Sequence, residues 1–317
     1  MHAPGSPDVL RLEETPDPEP REGEVLIAVR AFGLNRSELF TRQGHSPGVE
    51  FPRVLGIECV GEVIAAPGTR FAPGDRVAAI MGGMGRQYDG GYAELTRVPA
   101  AHVYRVQTHL PWEVFGALPE MFQTAQGSLT TGLRAQPGET LLVRGGTSSI
   151  GMTAAALAAD LGMTVLATTR SEAKADALRT NGAHHVLRGG GSLVEQVRAI
   201  APDGVDCVLE LIGATTLLDS LRCARVGGRV CMTGILGGSW TLPDFEPMTA
   251  IPTGVFLTAY SGGSGDLTEE ALEGFLRRVA AGSFTPRIDR VFGLHEVAAA
   301  HAYMEANRAK GKLVVRV

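Results

Sequence analysis

No run of apolar residues in this 317-residue chain approaches the roughly 18 needed to cross a bilayer. The opening Met1-His-Ala-Pro-Gly-Ser-Pro7 has neither the basic nor the apolar region of a secretion signal. Cysteine is scarce and scattered: Cys59, Cys207, Cys223 and Cys231 form no C-x-x-C pair. Three of them fall in apolar stretches, where a free thiol serves as a small core residue. That usage excludes a disulfide scaffold and suits a reducing cytoplasm. The histidines show no metal-ligand spacing, and the adjacent His184 and His185 face opposite ways along a strand. Basic and aromatic residues are not interleaved and the net charge is −5, which argues against nucleic acid as a partner. What remains, 44% hydrophobic and 20% charged, describes a soluble globular protein long enough for two domains.

The most informative stretch is Thr140-Leu-Leu-Val-Arg-Gly-Gly-Thr-Ser-Ser-Ile-Gly151, followed by an Ala-rich helical run to Leu161. An apolar strand empties into a glycine-bearing turn and a helix starts at once. Backbone N–H groups and the positive end of a helix dipole then point at one spot, which suits a pyrophosphate. The turn departs from G-x-G-x-x-G at its middle position, where Ser148 stands between Gly145 and Gly151. A second strand, Met163 to Arg170, ends where an NAD site carries an acid for the ribose hydroxyl. Here Thr169, Arg170 and Ser171 occupy that end, with Lys174 one turn on. A cation with hydroxyls suits a 2′-phosphate, so the residues point to NADPH. Further strands are expected at 184–187, 205–212 and 228–235, with helices at 171–181, 192–200 and 214–224 between them. Alternation of that kind describes an α/β domain with a parallel, doubly wound sheet.

Earlier in the chain the pattern changes. Short strands at 24–32, 58–65, 75–80, 91–95 and 101–106 are separated by turn signals such as Ala66-Pro-Gly68, as in a compact β-barrel. A helix is expected over 111–132, an edge strand at 254–260 and a helix at 267–281. A tail of β character (strand 287–292, helix 296–307, strand 312–317) suggests that the chain leaves the first domain, builds the second and returns.

Gly33-Leu-Asn35, Gly56-Ile-Glu-Cys-Val-Gly-Glu-Val63, Pro73-Gly-Asp-Arg-Val77, Gly90-Gly-Tyr-Ala-Glu94, Leu118-Pro-Glu120 with Thr124, the Gly145 to Gly151 turn, Gly227-Gly-Arg-Val230 and Gly311-Lys-Leu-Val314 occur in one order. In that order they resemble the medium-chain dehydrogenase/reductase superfamily, in its zinc-free, zeta-crystallin-like quinone oxidoreductase branch. The resemblance covers essentially the whole chain. It implies a GroES-like β-barrel catalytic domain at 1–120 and a Rossmann NADP(H)-binding domain at 121–255. It further implies that residues 256–317 complete the Rossmann edge and return to the catalytic domain, and that the protein forms homodimers through the 254–260 edge. Zinc-dependent relatives carry a Cys after the glycine matched by Gly33 and a His before the glutamate matched by Glu58. This chain has Asn35 and Ile57 there, and no four-cysteine lobe, so no metal is expected. Glu58 is then expected to persist as a buried structural carboxylate.

The resemblance places Asn35 as an amide facing nicotinamide or substrate, or else in a local Asx turn, and Thr124 as a hydroxyl near the carboxamide. A tyrosine that related reductases carry two residues after Gly44 is replaced by Ser46, with His45 beside it, and His45 is the better proton donor of the two. The expected coenzyme contacts are Thr124, Gly145, Thr147, Ser148, Ser149, Ile150, Gly151, Thr169, Arg170, Ser171, Lys174, Arg188, Gly234 and Ile235. The leading expectation is an NADPH-dependent, zinc-independent reductase of a small-molecule quinone or α,β-unsaturated carbonyl. An enoyl-thioester reductase and a non-catalytic NADPH-binding protein are the alternatives.

Overall fold

Neighbouring residues of a strand face opposite sides, and in the middle of this chain both sides are apolar. A computed structural model of the chain describes residues 1–189 and 192–317. It divides the chain into two compact units, Met1–Glu120 with Gly263–Val317, and Met121–Gly262.

The first unit is built on β1 (Glu24–Gly33), β2 (Glu58–Ala65), β3 (Arg76–Ile80), β4 (Leu95–Pro99) and β5 (Val103–Arg105), joined from the tail by β12 (Ile288–Gly293) and β13 (Lys312–Arg316). The strands form one seven-stranded sheet in the order β12-β13-β1-β2-β3-β5, with β4 also on β1. β1 runs antiparallel to β2, β4 and β13, so the last strand of the chain sits beside the first. Helix α1 (Arg36–Arg42) follows β1 directly, and α2 (Trp112–Phe115) leads out of the unit. Val25, Ile27, Val29, Phe32, Leu313 and Val315 share one core with Val297 and Met304 of the tail.

In the second unit, β6 (Thr140–Arg144), β7 (Thr164–Thr169), β8 (His185–Arg188), β9 (Val205–Glu210), β10 (Ala224–Met232) and β11 (Phe256–Ala259) form a parallel sheet in the order β11-β10-β9-β6-β7-β8. Counted from β6 as the first, that is the 3-2-1-4-5-6 order of dinucleotide-binding sheets. Leu141, Val143, Val165, Ala167, Cys207 and Leu209 pack into one core with α4 (Ser149–Asp160). Leu142, Leu166 and Val208 turn the other way, onto α6 (Leu193–Arg198) and α7 (Ala214–Cys223). One apolar strand thus feeds two cores, which is why these strands read as continuous hydrophobic runs. The remaining helices are α3 (Pro119–Gly127), α5 (Ala175–Thr180), α8 (Pro247–Ala250), α9 (Glu269–Ala280) and α10 (Val297–Glu305).

Three sequence expectations are corrected. The helix expected over 111–132 is broken into α2, α3 and a wide turn at Ser128–Gly132. Pro119 opens α3, and the residue before a proline resists helical geometry. The strand expected at 91–95 begins only at Leu95, because Gly90 and Gly91 lie flat on backbone: a Cβ would come within 2.3 Å of Gly56 O and 2.6 Å of Glu58 O respectively. The strand expected at 228–235 ends at Met232, and the N–H groups of Thr233 and Gly234 turn to Glu210 O.

Candidate active site

The order of the second sheet reverses between β6 and β9, and open α/β sheets bind ligands outside the carboxyl ends of strands at such a point. The turn after β6 lies there. Gly145 takes φ +88°, which only glycine adopts cheaply, and its N–H donates to Thr168 Oγ1 at 3.0 Å. Ser148 caps α4, its Oγ accepting from the Gly151 N–H at 3.0 Å and donating to Gly145 O at 2.9 Å. The hydroxyl at the motif's middle position is therefore spent on holding the turn. Gly151 is fixed by packing, since a Cβ would come 2.5 Å from Gly145 O. Thr147, Ser149 and Ile150 are half-buried around the start of the helix. The result is a rigid rim of N–H groups at the positive end of a 12-residue helix, suited to a pyrophosphate.

Across the switch point, Glu210 at the end of β9 organises the neighbouring loops. Its carboxylate accepts from the N–H groups of Ile212 at 2.7 Å and Gly213 at 2.9 Å, and from Ser220 Oγ. Burial raises its pKa against the pull of these donors. Gly234 is tied back to Glu210 O and Ile235 follows it, half-buried. Sequence reasoning passed over Glu210, although one acid closing an apolar strand was a visible signal.

At the ends of β7 and β8 lies a small recess of about 50 Å³ whose walls include Thr169, Arg170, Glu172, Arg179 and Arg188. Thr169 Oγ1 exchanges hydrogen bonds with the Ser171 main chain at 3.1 Å, which sets the turn beyond β7. Arg170 is exposed, with no partner for its guanidinium among the described residues. Arg188 reaches Glu172 at 3.3 Å, and its main chain is clamped by both ends of the Gln196 amide. Ser171 and Lys174 are half-buried beside the same turn. Arg179 and Glu172 are the members that the sequence had not singled out. Thr124 lies on α3, largely buried, its main-chain carbonyl accepting from Ser128 Oγ at 2.6 Å.

In the first unit, Asn35 sits at the start of α1 and is 8% exposed. Its Nδ2 donates to Glu58 Oε1 at 3.0 Å and Glu38 Oε1 at 3.3 Å, and its Oδ1 accepts from Lys312 Nζ at 2.5 Å. The Lys312 ammonium also meets Glu58 Oε1 at 2.9 Å and Glu120 Oε2 at 3.2 Å. Burial lowers its pKa, but the Glu58 and Glu120 carboxylates outweigh that and hold it above the ordinary lysine value. Glu58 Oε2 accepts from the Glu120 N–H at 2.8 Å. A metal needs several free N, S or O donors. Ile57 offers none, and the Asn35 and Glu58 oxygens already face an ammonium, so these residues do not fit a zinc ion. Among the described residues there is no group of three or more His, Cys, Asp or Glu side chains placed to hold one elsewhere. His45 and Ser46 lie past the far end of the seven-residue α1, roughly 10 Å of helix from Asn35. Ser46 Oγ bonds Thr41 Oγ1 at 2.8 Å, while the exposed His45 ring has no partner among the described residues. Within this unit the structure does not bring Asn35 together with His45 and Ser46.

Comparison with known proteins agrees with both halves. Residues 21–108 match the family described as alcohol dehydrogenase GroES-like domain, and residues 181–315 the one described as zinc-binding dehydrogenase. A quinone oxidoreductase of Rattus norvegicus is 31% identical over 74% of this chain and 71% of its own length. An acryloyl-coenzyme A reductase of Metallosphaera sedula is 26% identical over 96% of this chain and 95% of its own. Among solved structures, a mycobacterial protein in complex with NADPH superimposes with a TM-score of 0.87 at 28% identity, covering all of this chain and 98% of that one.

Proposed function

The chain belongs to the medium-chain dehydrogenase/reductase superfamily, in its quinone oxidoreductase branch, and from that premise we propose that it is an NADPH-dependent, metal-independent reductase of a quinone or an α,β-unsaturated carbonyl. The observation that carries the coenzyme choice is the recess at the ends of β7 and β8, where Arg170, its guanidinium without a partner among the described residues, stands beside Arg179 and Arg188. A guanidinium binds a phosphate dianion through charge-assisted, forked hydrogen bonds.

Bound NADPH supplies a hydride. The Gly145–Gly151 turn and the start of α4 hold the pyrophosphate, and Thr124 with the Gly234–Ile235 loop orients the nicotinamide end. A conjugated acceptor suits a site without a Lewis acid, because the negative charge left by hydride addition is delocalised within the acceptor itself. Lys312, seated against Asn35, Glu58 and Glu120, supports the metal-free reading. One proton completes the reduction. We assign it to His45, because Asn35 and Ser46 have protein partners while the His45 ring has none among the described residues. Asn35 then acts by positioning, as the link between β1 and the buried lysine.

A second reading, reduction of an enoyl thioester, is favoured by the likeness to acryloyl-coenzyme A reductase. We also assign the open edge of β11, with Phe256 62% exposed, to a second copy of the chain, and place the protein in the cytoplasm on its four free, buried cysteines. Among the described residues no helix is long and apolar enough to cross a membrane.

The test is NADPH oxidation against a panel of quinones, enones and crotonyl thioesters, with a chelator present. Activity on quinones or enones that survives the chelator is expected. Activity confined to thioesters selects the second reading, and stoichiometric zinc whose removal abolishes turnover refutes the metal-free one. Arg170→Glu should weaken NADPH by about 1–3 kcal/mol while sparing NADH. Equal binding of the two coenzymes by the native protein would refute the role given to Arg170.

A further inference from the structure

The recess that we assign to the 2′-phosphate contains an acid. Glu172 lies two residues past Arg170, on the short turn Glu172–Lys174, and is the one carboxylate in its walls among the described residues. Its Oε2 is 3.3 Å from Arg188 Nη2, with both side chains mostly exposed. An exposed pair of that length is cheap to part. The Arg188 main chain does not need to move for this, because the Gln196 amide accepts from the Arg188 N–H at 3.0 Å and donates to its carbonyl at 3.2 Å. Only the side chain is free to change partner. Arg179 is engaged with Asp176 at 2.8 Å and Arg170 with nothing among the described residues, so the three cations differ in what a phosphate must displace.

A phosphate dianion competes for a guanidinium better than a carboxylate does. When it takes Arg188, however, it leaves Glu172 unpaired beside two new negative charges. When the ribose carries only hydroxyls, a carboxylate near the end of the second strand is the acceptor that NAD sites use. Resting on the NADPH reading, we propose that Glu172 limits the discrimination between the two coenzymes. It opposes the 2′-phosphate once Arg188 is surrendered, and it accepts the ribose hydroxyls of the unphosphorylated form. Glu172 is thus a specificity-determining residue acting against the three arginines, and the native protein retains measurable affinity for NADH because of it.

The experiment is calorimetric titration of the full chain with NADPH and with NADH, for the native protein, Glu172→Gln and Arg170→Glu, at low and high salt. Glu172→Gln should raise the NADPH:NADH affinity ratio roughly fivefold, the effect of removing one nearby like charge in a surface setting. Most of that gain should vanish in 0.5 M salt, which a merely structural change would not show. A ratio within twofold of native overturns the proposal, as does equal weakening of both coenzymes. If Arg170→Glu lowers the ratio while Glu172→Gln leaves it alone, the phosphate site stands and only the part given to Glu172 falls. If Arg170→Glu also leaves the ratio unchanged, the phosphate reading falls and takes this inference with it.

Discussion

Replacing Glu38 by glutamine should abolish a loss of stability that the native protein suffers as the pH rises. Glu38 is 1% exposed on α1, and its Oε2 has no hydrogen-bond partner among the described residues. Burial pushes its pKa up from 4.5 to about 7, and the Glu58 carboxylate adds to this. The Ile57 N–H, which Oε1 accepts at 3.1 Å, and the Lys312 ammonium pull it back only in part. A carboxyl whose pKa rises on folding holds its proton in the folded chain over a range where the unfolded chain has lost it. Its contribution therefore declines from about pH 4.5 to about pH 7 and stays as a constant penalty above. At 1.36 kcal/mol per unit the penalty is on the order of 3 kcal/mol. Glutamine keeps a carbonyl to accept from Ile57 and Asn35 but does not titrate. Urea unfolding can be followed through Trp112 of the first unit, in a background where the exposed Trp240 is phenylalanine. The glutamine variant should gain on the native protein by about 2–3 kcal/mol between pH 5 and pH 8. Taking the difference cancels groups common to both, including His301, which burial drives down to about 3. Parallel curves across that range would refute the reasoning.

The remaining expectations are simpler. Lys312→Met leaves the Glu58 and Glu120 carboxylates buried without their cation and should cost roughly 3–5 kcal/mol of stability at neutral pH. Adding Glu58→Gln should restore part of that loss in the same unfolding assay, and a methionine variant as stable as the native chain would show that the cluster carries no net charge balance. Phe256→Asp on the open edge of β11 should convert a dimer into a monomer by sedimentation. A native protein that already sediments as a monomer would remove the assignment of that edge.

The second unit was legible because its chemistry is local. Leu141 to Val143 and Val208 to Leu209 announce strands covered on both faces, Gly145 is required by its own positive φ, and Gly151 stands within one turn of the backbone that excludes a side chain there. The family resemblance and the fold followed from such segments in order. Long-range partnerships were not legible. Lys312 reads as one polar residue opening an apolar strand, and its acceptors lie as many as 277 positions away. Glu38 shows no trace in the sequence of its burial beside Glu58 and Tyr92. The break in the expected 111–132 helix was hidden because Glu120, Gln123 and Thr124 are buried alongside the apolar residues, which leaves no clear polar face for a periodicity to mark, although Pro119 marked the place. At the recess proposed for the 2′-phosphate, Arg170 was visible as a basic residue where an acid is usual. Arg179 and Glu172 needed the path of the chain after β7.

The position of β13 carries a consequence for synthesis. Residues 24–33 leave the ribosome nearly three hundred residues before the strand that hydrogen-bonds to them through Ala31, Phe32 and Gly33. The middle unit has all its own strands by residue 262 and can close while the earlier segment is still waiting. Until β13 emerges, the Ala31–Gly33 end of one edge of β1 and the carboxylates that Lys312 later neutralises lack their partners. A nascent chain stalled in the last fifty residues would therefore present a finished coenzyme domain joined to an open sheet edge, the kind of surface that chaperones bind.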